Sequence, residues 1–134
     1  MRIMRTDGDI IHPELSYKIN GILFDVRKEL GRFKSEQQYC DAIEERFKKS
    51  EIGYKREEFL PISFEGEKEN RNRADFLING EIILEVKAKP FITKEDYYQT
   101  MRYLQSLDKK LGILVNMRRY YVNPKRILNS KASQ

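Results

Sequence analysis

The chain has 134 residues, with 26 Lys and Arg against 21 Asp and Glu, for a formal net charge of +5 at pH 7. A chain of this length can bury one hydrophobic core without disulfide bonds or a structural metal. Its single Cys excludes an internal disulfide framework or a Cys-rich zinc site. No apolar run is long enough to cross a membrane. We expect a cytoplasmic protein with no membrane partner, folded as one domain over 1–134 with a polar entry segment (1–12) and a flexible tail (129–134).

The positive charge is concentrated after residue 87. Residues 88–134 contain ten Lys or Arg and three acids, a net charge of +7, whereas residues 1–87 carry −2. A basic segment of this kind indicates a polyanionic partner such as nucleic acid. A solubilising surface would have the same composition, so the charge alone does not separate the two interpretations.

Two helices are predicted in the first 50 residues. Apolar residues recur every three or four positions from Ile19 to Leu30, with Pro13 suited to the first turn and Gly31 to the C-cap. The same periodicity predicts a second helix over 35–49.

The period then changes to that of strands. Residues 54–64 predict a strand in which Pro61 favours an edge position or a bulge, and 65–73 predict a charged hairpin tip. Further strands are predicted over 74–78 and 81–88, and Asn79-Gly80 between them predicts a tight two-residue turn.

The last third predicts a helix over 93–107, a strand over 111–116 and one more strand over 120–127. A strand, helix and strand over 81–116 favour a parallel pairing of the two strands. The predicted fold is therefore an α/β sandwich, with helices flanking a mixed sheet.

Candidate chemistry is concentrated on the hairpin about Asn79-Gly80. Asp75 lies on its first strand, and Glu85 and Lys87 share one face of its second strand. Two carboxylates can hold Mg²⁺, and a nearby lysine can position a water or supply positive charge. An exposed polar stripe on an amphipathic strand would explain the same spacing.

The predicted turn conflicts with this chemistry. A two-residue turn pairs residue 78 with 81, which places Asp75 opposite Leu84 and on the other face from Glu85. A bulge, a splayed strand end or a three-residue turn would be needed to bring the two acids together.

Six segments resemble, in order and spacing, those of GxxExxY proteins, a branch of the PD-(D/E)XK nuclease superfamily. The segments are Leu15 to Leu30 followed by Gly31, Glu36-Gln37-Gln38-Tyr39, Arg73-Ala74-Asp75-Phe76-Leu77-Ile78, Glu85-Val86-Lys87-Ala88, Gln99 through Tyr103-Leu104, and Leu111-Gly112-Ile113-Leu114-Val115-Asn116. The resemblance covers residues 13–128 and implies a restriction-endonuclease-like sandwich.

The resemblance also implies the roles of particular residues. The implied ligands of Mg²⁺ or Mn²⁺ are Glu36, Asp75, Glu85 and the backbone carbonyl of Val86. Lys87 corresponds to the catalytic lysine, and Gln99, spaced from Tyr103 as Gln-x-x-x-Tyr, to a residue that orients the metal site and the lysine. Two positions depart from the family pattern, since Phe33 replaces a glycine and Thr100 replaces an apolar residue.

The expected function is metal-dependent hydrolysis of phosphodiester bonds, with DNA as the expected substrate and a homodimer as a possible assembly. The expected contacts to nucleic acid are Arg73, Lys89, Arg102, Tyr103, Arg118 and Arg119. Two alternatives remain open at this level: a nucleic-acid-binding module that does not cut, and a protein-interaction subunit with the same fold.

Overall fold

The computed structural model describes residues 12–133, so most of the predicted entry segment lies outside the described residues. It contains three helices within that range: α1 (Pro13–Leu30), α2 (Glu36–Lys49) and α3 (Lys94–Leu107). The strands are β1 (Tyr54–Lys55), β2 (Glu58–Phe59), β3 (Arg73–Ala74), β4 (Phe76–Ile78), β5 (Ile82–Lys87), β6 (Leu111–Asn116) and β7 (Lys125–Leu128). None of the described helices is both long and apolar enough to span a membrane.

Local signals at the helix ends agree with these bounds. Gly31 takes the C-cap of α1 at φ 79°, and its N–H donates to the Arg27 carbonyl. Ser35 caps α2 in a reciprocal capping box with Gln38, and Thr93 caps α3 in the same way with Asp96. The side chains satisfy amide groups that a helix end leaves without partners, which fixes where each helix begins.

The main sheet has five strands in the order β1-β4-β5-β6-β7. β5 and β6 are parallel, whereas the other neighbours are antiparallel. The predicted mixed sheet and its parallel pairing are therefore confirmed. β2 and β3 form a separate antiparallel pair joined by the predicted charged hairpin tip.

The prediction of one strand over 54–64 is wrong. The chain forms β1 in the main sheet and then β2 in the small sheet, and Pro61 lies outside both. The predicted strand over 74–78 is divided in the same way, because β3 pairs with β2 and β4 pairs with β1 and β5. Asp75 stands at this division.

The two-residue turn is also wrong. Ile78 pairs with Ile82, so the turn has three residues, Asn79, Gly80 and Glu81. Both Asn79 and Gly80 have positive φ, a conformation that these two residue types adopt readily. When this register is continued by one residue along the two strands, away from the turn, Asp75 lies opposite Glu85. The two side chains are then on the same face of the sheet.

The two faces of the sheet pack against different helices. Ile82, Leu84 and Val86 belong to the core beneath α1 and α2. Ile83 belongs to a second core beneath α3, with Tyr103. Since side chains alternate along β5, Glu85 and Lys87 share the α3 face with Ile83.

α3 approaches β6 closely at Gly112. A Cβ added to Gly112 would lie 3.0 Å from Cγ2 of Thr100 and 3.3 Å from Cδ1 of Leu104. We expect Gly112→Ala to lower the free energy of unfolding by about 1 kcal/mol, since the extra methyl overpacks this contact. Urea unfolding measures the change, and adding Thr100→Ser should recover part of the loss. Additive effects of the two substitutions would contradict the contact.

Candidate active site

The Asp75 and Glu85 carboxylates each accept a hydrogen bond from a backbone amide of the other strand. The Asp75 N–H donates to Glu85 Oε2 at 2.9 Å, and the Val86 N–H donates to Asp75 Oδ2 at 2.8 Å. The two carboxylates thus replace ladder acceptors where the strand divides. The structure brings together the two acids that the sequence analysis predicted as metal ligands, and the three-residue turn supplies the register that this needs.

Both acids are held where their negative charge is unfavourable. Burial raises the pKa of Glu85 to about 8, with a further contribution from Asp75, and only 3% of Glu85 is exposed. Burial is also the main cause that raises the pKa of Asp75, and Glu36 and Glu57 add to it. A cation at this position would relieve the repulsion.

Lys87 is the cation that the protein itself provides at this position. Its charge opposes the rise in the pKa values of both Asp75 and Glu85. Its Nζ donates to Gln99 Oε1 on α3 at 3.3 Å. The predicted association of Lys87 with Gln99 is therefore present, and it connects the strand that bears Glu85 to the helix above it.

Glu36 reaches the site from the opposite layer, as the first residue of α2. It is exposed, yet its charge contributes to raising the pKa of both Asp75 and Glu85. Burial and then the charge of Asp75 raise the pKa of Cys40, one turn further along α2, so the start of this helix lies within electrostatic range of the acids.

Tyr39 orders the loop that leads to Glu36. Its buried side chain donates from the hydroxyl to the Gly31 carbonyl at 2.5 Å and accepts from the Lys34 N–H at 3.3 Å. The loop that departs from the family pattern at Phe33 is therefore still anchored at both ends. Tyr39 positions Glu36 through the backbone.

Glu57 is an acid near the site that the sequence analysis missed. It lies in the β1–β2 connection, and its charge helps to raise the pKa of Asp75. Its Oε2 lies 3.4 Å from Nε of Arg73. No sequence signal marked it, because its position depends on the division of the predicted strand between two sheets.

The donor chemistry of Asp75 and Glu85 fits a hard divalent cation, which prefers carboxylate oxygens. Their buried, mutually repelling charges provide the electrostatic reason to bind one. Between residues 12 and 133, however, no three His, Cys, Asp or Glu side chains are grouped closely enough to hold a metal ion. Glu36 therefore does not complete a three-acid cluster with the other two, and the carbonyl of Val86 as a ligand stays a prediction.

The predicted nucleic-acid contacts lie in varied surroundings. Arg102 and Arg119 are exposed, while Arg118 is partly buried and Arg73 is paired with Glu57. Tyr103 needs a correction: only 4% of it is exposed, because it packs in the core beneath α3, so in this conformation it cannot stack on a base.

Lys89, another predicted contact, forms an ion pair with Asp96. Its Nζ lies 2.6 Å from Oδ2 and 2.8 Å from Oδ1 of Asp96, which also caps α3 through Thr93. Burial alone would raise the pKa of Asp96, but the hydrogen bonds from Lys89 and Thr93 outweigh it and lower the pKa. Lys89 thus helps to hold α3 on the sheet.

We expect Asp96→Asn to lower the free energy of unfolding at pH 7 by about 1 kcal/mol, through loss of a charged partner. A carboxyl whose pKa is lower when folded stabilises the protein above its unfolded pKa, and this contribution is lost as the pH falls through the folded pKa. The difference between the variant and the wild type should therefore narrow below pH ~4. Urea unfolding at pH 7 and in acid measures it, and a difference independent of pH would contradict the assignment.

Comparison with known families gives a match that covers most of the chain. A family model described as the PD-(D/E)XK nuclease superfamily matches residues 13–127. The match runs from the first turn of α1 into β7 and includes Asp75, Glu85 and Lys87. The comparisons with curated proteins and with solved structures found no match.

Proposed function

Because this chain belongs to the PD-(D/E)XK nuclease superfamily, we propose that it is a divalent-metal-dependent nuclease that hydrolyses phosphodiester bonds in DNA. One observation carries the proposal: Asp75 and Glu85 are held side by side, with Lys87 beside them. The net charge of +7 after residue 87 supports a polyanionic substrate.

Each residue of the site has a role in this proposal. Asp75, Glu85 and the Val86 carbonyl would hold Mg²⁺ or Mn²⁺, and Glu36 would add negative charge from α2. When bound, the cation supplies an acidic bound water and neutralises charge that develops on the phosphate. Lys87 Nζ orients the attacking water, and Gln99 Oε1 holds Lys87 in place. The water oxygen forms a bond to phosphorus while the bond from phosphorus to the 3′ oxygen breaks. The 3′ oxygen takes a proton from solvent, so the products are a 5′-phosphate and a 3′-hydroxyl.

We further propose that the chain belongs to the GxxExxY branch. Glu36 at the first residue of α2, one turn before the buried Tyr39, supports this placement. Arg73, Lys89, Arg102, Arg118 and Arg119 would contact phosphates rather than bases. One domain over 1–134 and a homodimer that engages both strands of a duplex are parts of the same proposal.

The test is a cleavage assay with single- and double-stranded DNA and RNA, with and without Mg²⁺ and Mn²⁺. The wild type should cut DNA only with metal, and Asp75→Asn should be inactive because one of the two adjacent carboxylates has lost its charge. Asp25→Asn, at an exposed position on α1, is the matched control and should cut normally. Salt-dependent binding of nucleic acid, without cleavage in the presence of any metal, would favour a binding module. If the protein neither binds nor cuts nucleic acid, a protein-interaction subunit would be favoured.

A further inference from the structure

A cleft rich in aromatic and basic side chains lies next to the candidate active site. It has a volume of about 820 Å³ and includes Arg32, Phe33, Phe91, Arg118, Tyr120 and Lys125 in its lining. Four of the described lining residues are Lys or Arg and none is acidic. We call this feature the aromatic cleft. Its positive charge fits a polyanion.

The rings of the aromatic cleft face solvent. Phe33 is 74% exposed, Phe91 78% and Tyr120 68%. Single exposed apolar residues are ordinary, but several grouped with cations in one concave surface mark an interaction site. Bases have flat faces that stack on such rings whatever their sequence.

The arginines of the cleft hold one another in place. Arg32 Nε donates to the Arg118 carbonyl and Arg118 Nε donates to the Arg32 carbonyl, both at 3.0 Å. Arg32 Cζ lies 5.0 Å from the Phe33 ring centre and 5.6 Å from that of Tyr120, and Arg118 Cζ lies 5.7 Å from Phe33. These bonds go to carbonyls, so they fix the guanidinium groups beside the rings without neutralising their charge.

Three segments carry the cleft, and each adjoins the site. Phe33 comes three residues before Glu36, and Phe91 four residues after Lys87. Arg118 follows the end of β6, where Asn116 is the register partner of Lys87. The cleft therefore lies at the same end of β5 and β6 as Lys87, within reach of a nucleic-acid strand bound there.

We propose that the aromatic cleft binds unpaired nucleotides of single-stranded DNA beside the bond to be cut, with Phe33 and Tyr120 stacking on bases and the arginines contacting phosphates. In a duplex the base faces are already stacked on each other, so these rings have a partner only where a strand is unpaired. This inference rests on the proposed function, and it specifies the form of the substrate: a single strand, or a duplex with an unpaired end.

The test measures binding by fluorescence anisotropy in an Asp75→Asn background, so that no substrate is consumed. The probes are a labelled 20-nucleotide single-stranded DNA, the matching blunt duplex and the same sequence as RNA. We expect Phe33→Ala and Tyr120→Ala each to raise the Kd for the single strand about 5- to 100-fold, and the Kd for the duplex less than about twofold. Phe33→Trp and Tyr120→Phe keep a stacking face and should bind as the parent does, and melting curves confirm folding.

Tyr17→Ala is the matched control, since Tyr17 is an exposed ring beside Lys18 on α1 and is not among the described lining residues of the aromatic cleft. Equal weakening for duplex and single strand, or no weakening by either alanine variant, overturns the inference, and tighter binding of RNA than of DNA overturns the choice of DNA. Ring-dependent binding by a wild type that never cuts rejects the nuclease but keeps the cleft. If the wild type cuts DNA and the ring variants cut it equally well, the nuclease is kept and the role of the cleft is rejected.

Discussion

Lys87→Met is expected to lower the rate of metal-dependent cleavage about 10³-fold, while the protein stays folded and still binds the divalent cation. Lys87 is partly buried, and the one hydrogen bond described for its side chain is to Gln99, so we expect the fold not to depend on its charge. Without the positive charge of Lys87, the repulsion between Asp75 and Glu85 is no longer partly neutralised by the protein itself. The rise in Tm on adding Mg²⁺ should therefore be at least as large as in the wild type.

Two further variants make this result specific. Asp75→Asn should lose both the cleavage and the rise in Tm, because it removes a charge that attracts the cation. Lys94→Met, at an exposed position at the start of α3, is the control for loss of a lysine and should behave as the wild type does. Wild-type cleavage by Lys87→Met would contradict the assignment of Lys87.

Glu85→Gln is expected to abolish cleavage and, without metal, to make the protein more stable by on the order of 2 kcal/mol at pH 8. An acid whose pKa is higher when folded than when unfolded destabilises the protein as the pH rises from its unfolded pKa to its folded pKa. For Glu85 the folded pKa is about 8, so the metal-free wild type should lose stability between pH ~4.5 and 8. A neutral amide at this position removes that part of the loss.

Urea unfolding with a metal chelator, at pH 5 and pH 8, measures this effect. The two proteins should differ little at pH 5, and the variant should be the more stable at pH 8. Glu45→Gln, on the exposed surface of α2, is the control and should not change the pH dependence. A variant less stable than the wild type at pH 8 would show that the ionised carboxylate of Glu85 does not destabilise the folded protein.

The helices could be predicted closely because their signals are local. Pro13 and Gly31 mark the ends of α1, as predicted, and the residues at which the other two helices were predicted to begin, Ser35 and Thr93, are their N-caps. Each of these signals acts through hydrogen bonds or backbone conformation within a few residues, so the sequence nearby contains the whole cause.

The strands were harder to predict because their partners are distant. Whether residues 54–64 form one strand or two depends on which sheet each part joins, and the pairing of Glu58 with Ala74 is not visible locally. For the same reason Asn79-Gly80 could be identified as a turn, but its length could not. The choice of Asp75 and Glu85 was right, and the register that unites them required the structure.

The surroundings of surface cations were likewise beyond the sequence. Lys89 and Asp96 are seven residues apart across a loop and a helix start, and their ion pair depends on how α3 docks. Phe33, at the position that departs from the family glycine, lies in the aromatic cleft only because the loop before α2 meets the segment after β6. Such contacts between distant segments have no periodicity to reveal them.

The amide hydrogen bonds that Asp75 and Glu85 accept also affect how these acids can coordinate an ion. Oδ2 of Asp75 and Oε2 of Glu85 each use a lone pair to accept a hydrogen bond from an amide, which favours coordination through the other oxygen of each carboxylate. Ca²⁺ takes six to eight oxygens and often binds a carboxylate through both, whereas Mg²⁺ is satisfied by one or two carboxylates and keeps several waters. The backbone that aligns the acids therefore disfavours the larger ion, and Ca²⁺ should raise the Tm less than Mg²⁺ at equal concentration.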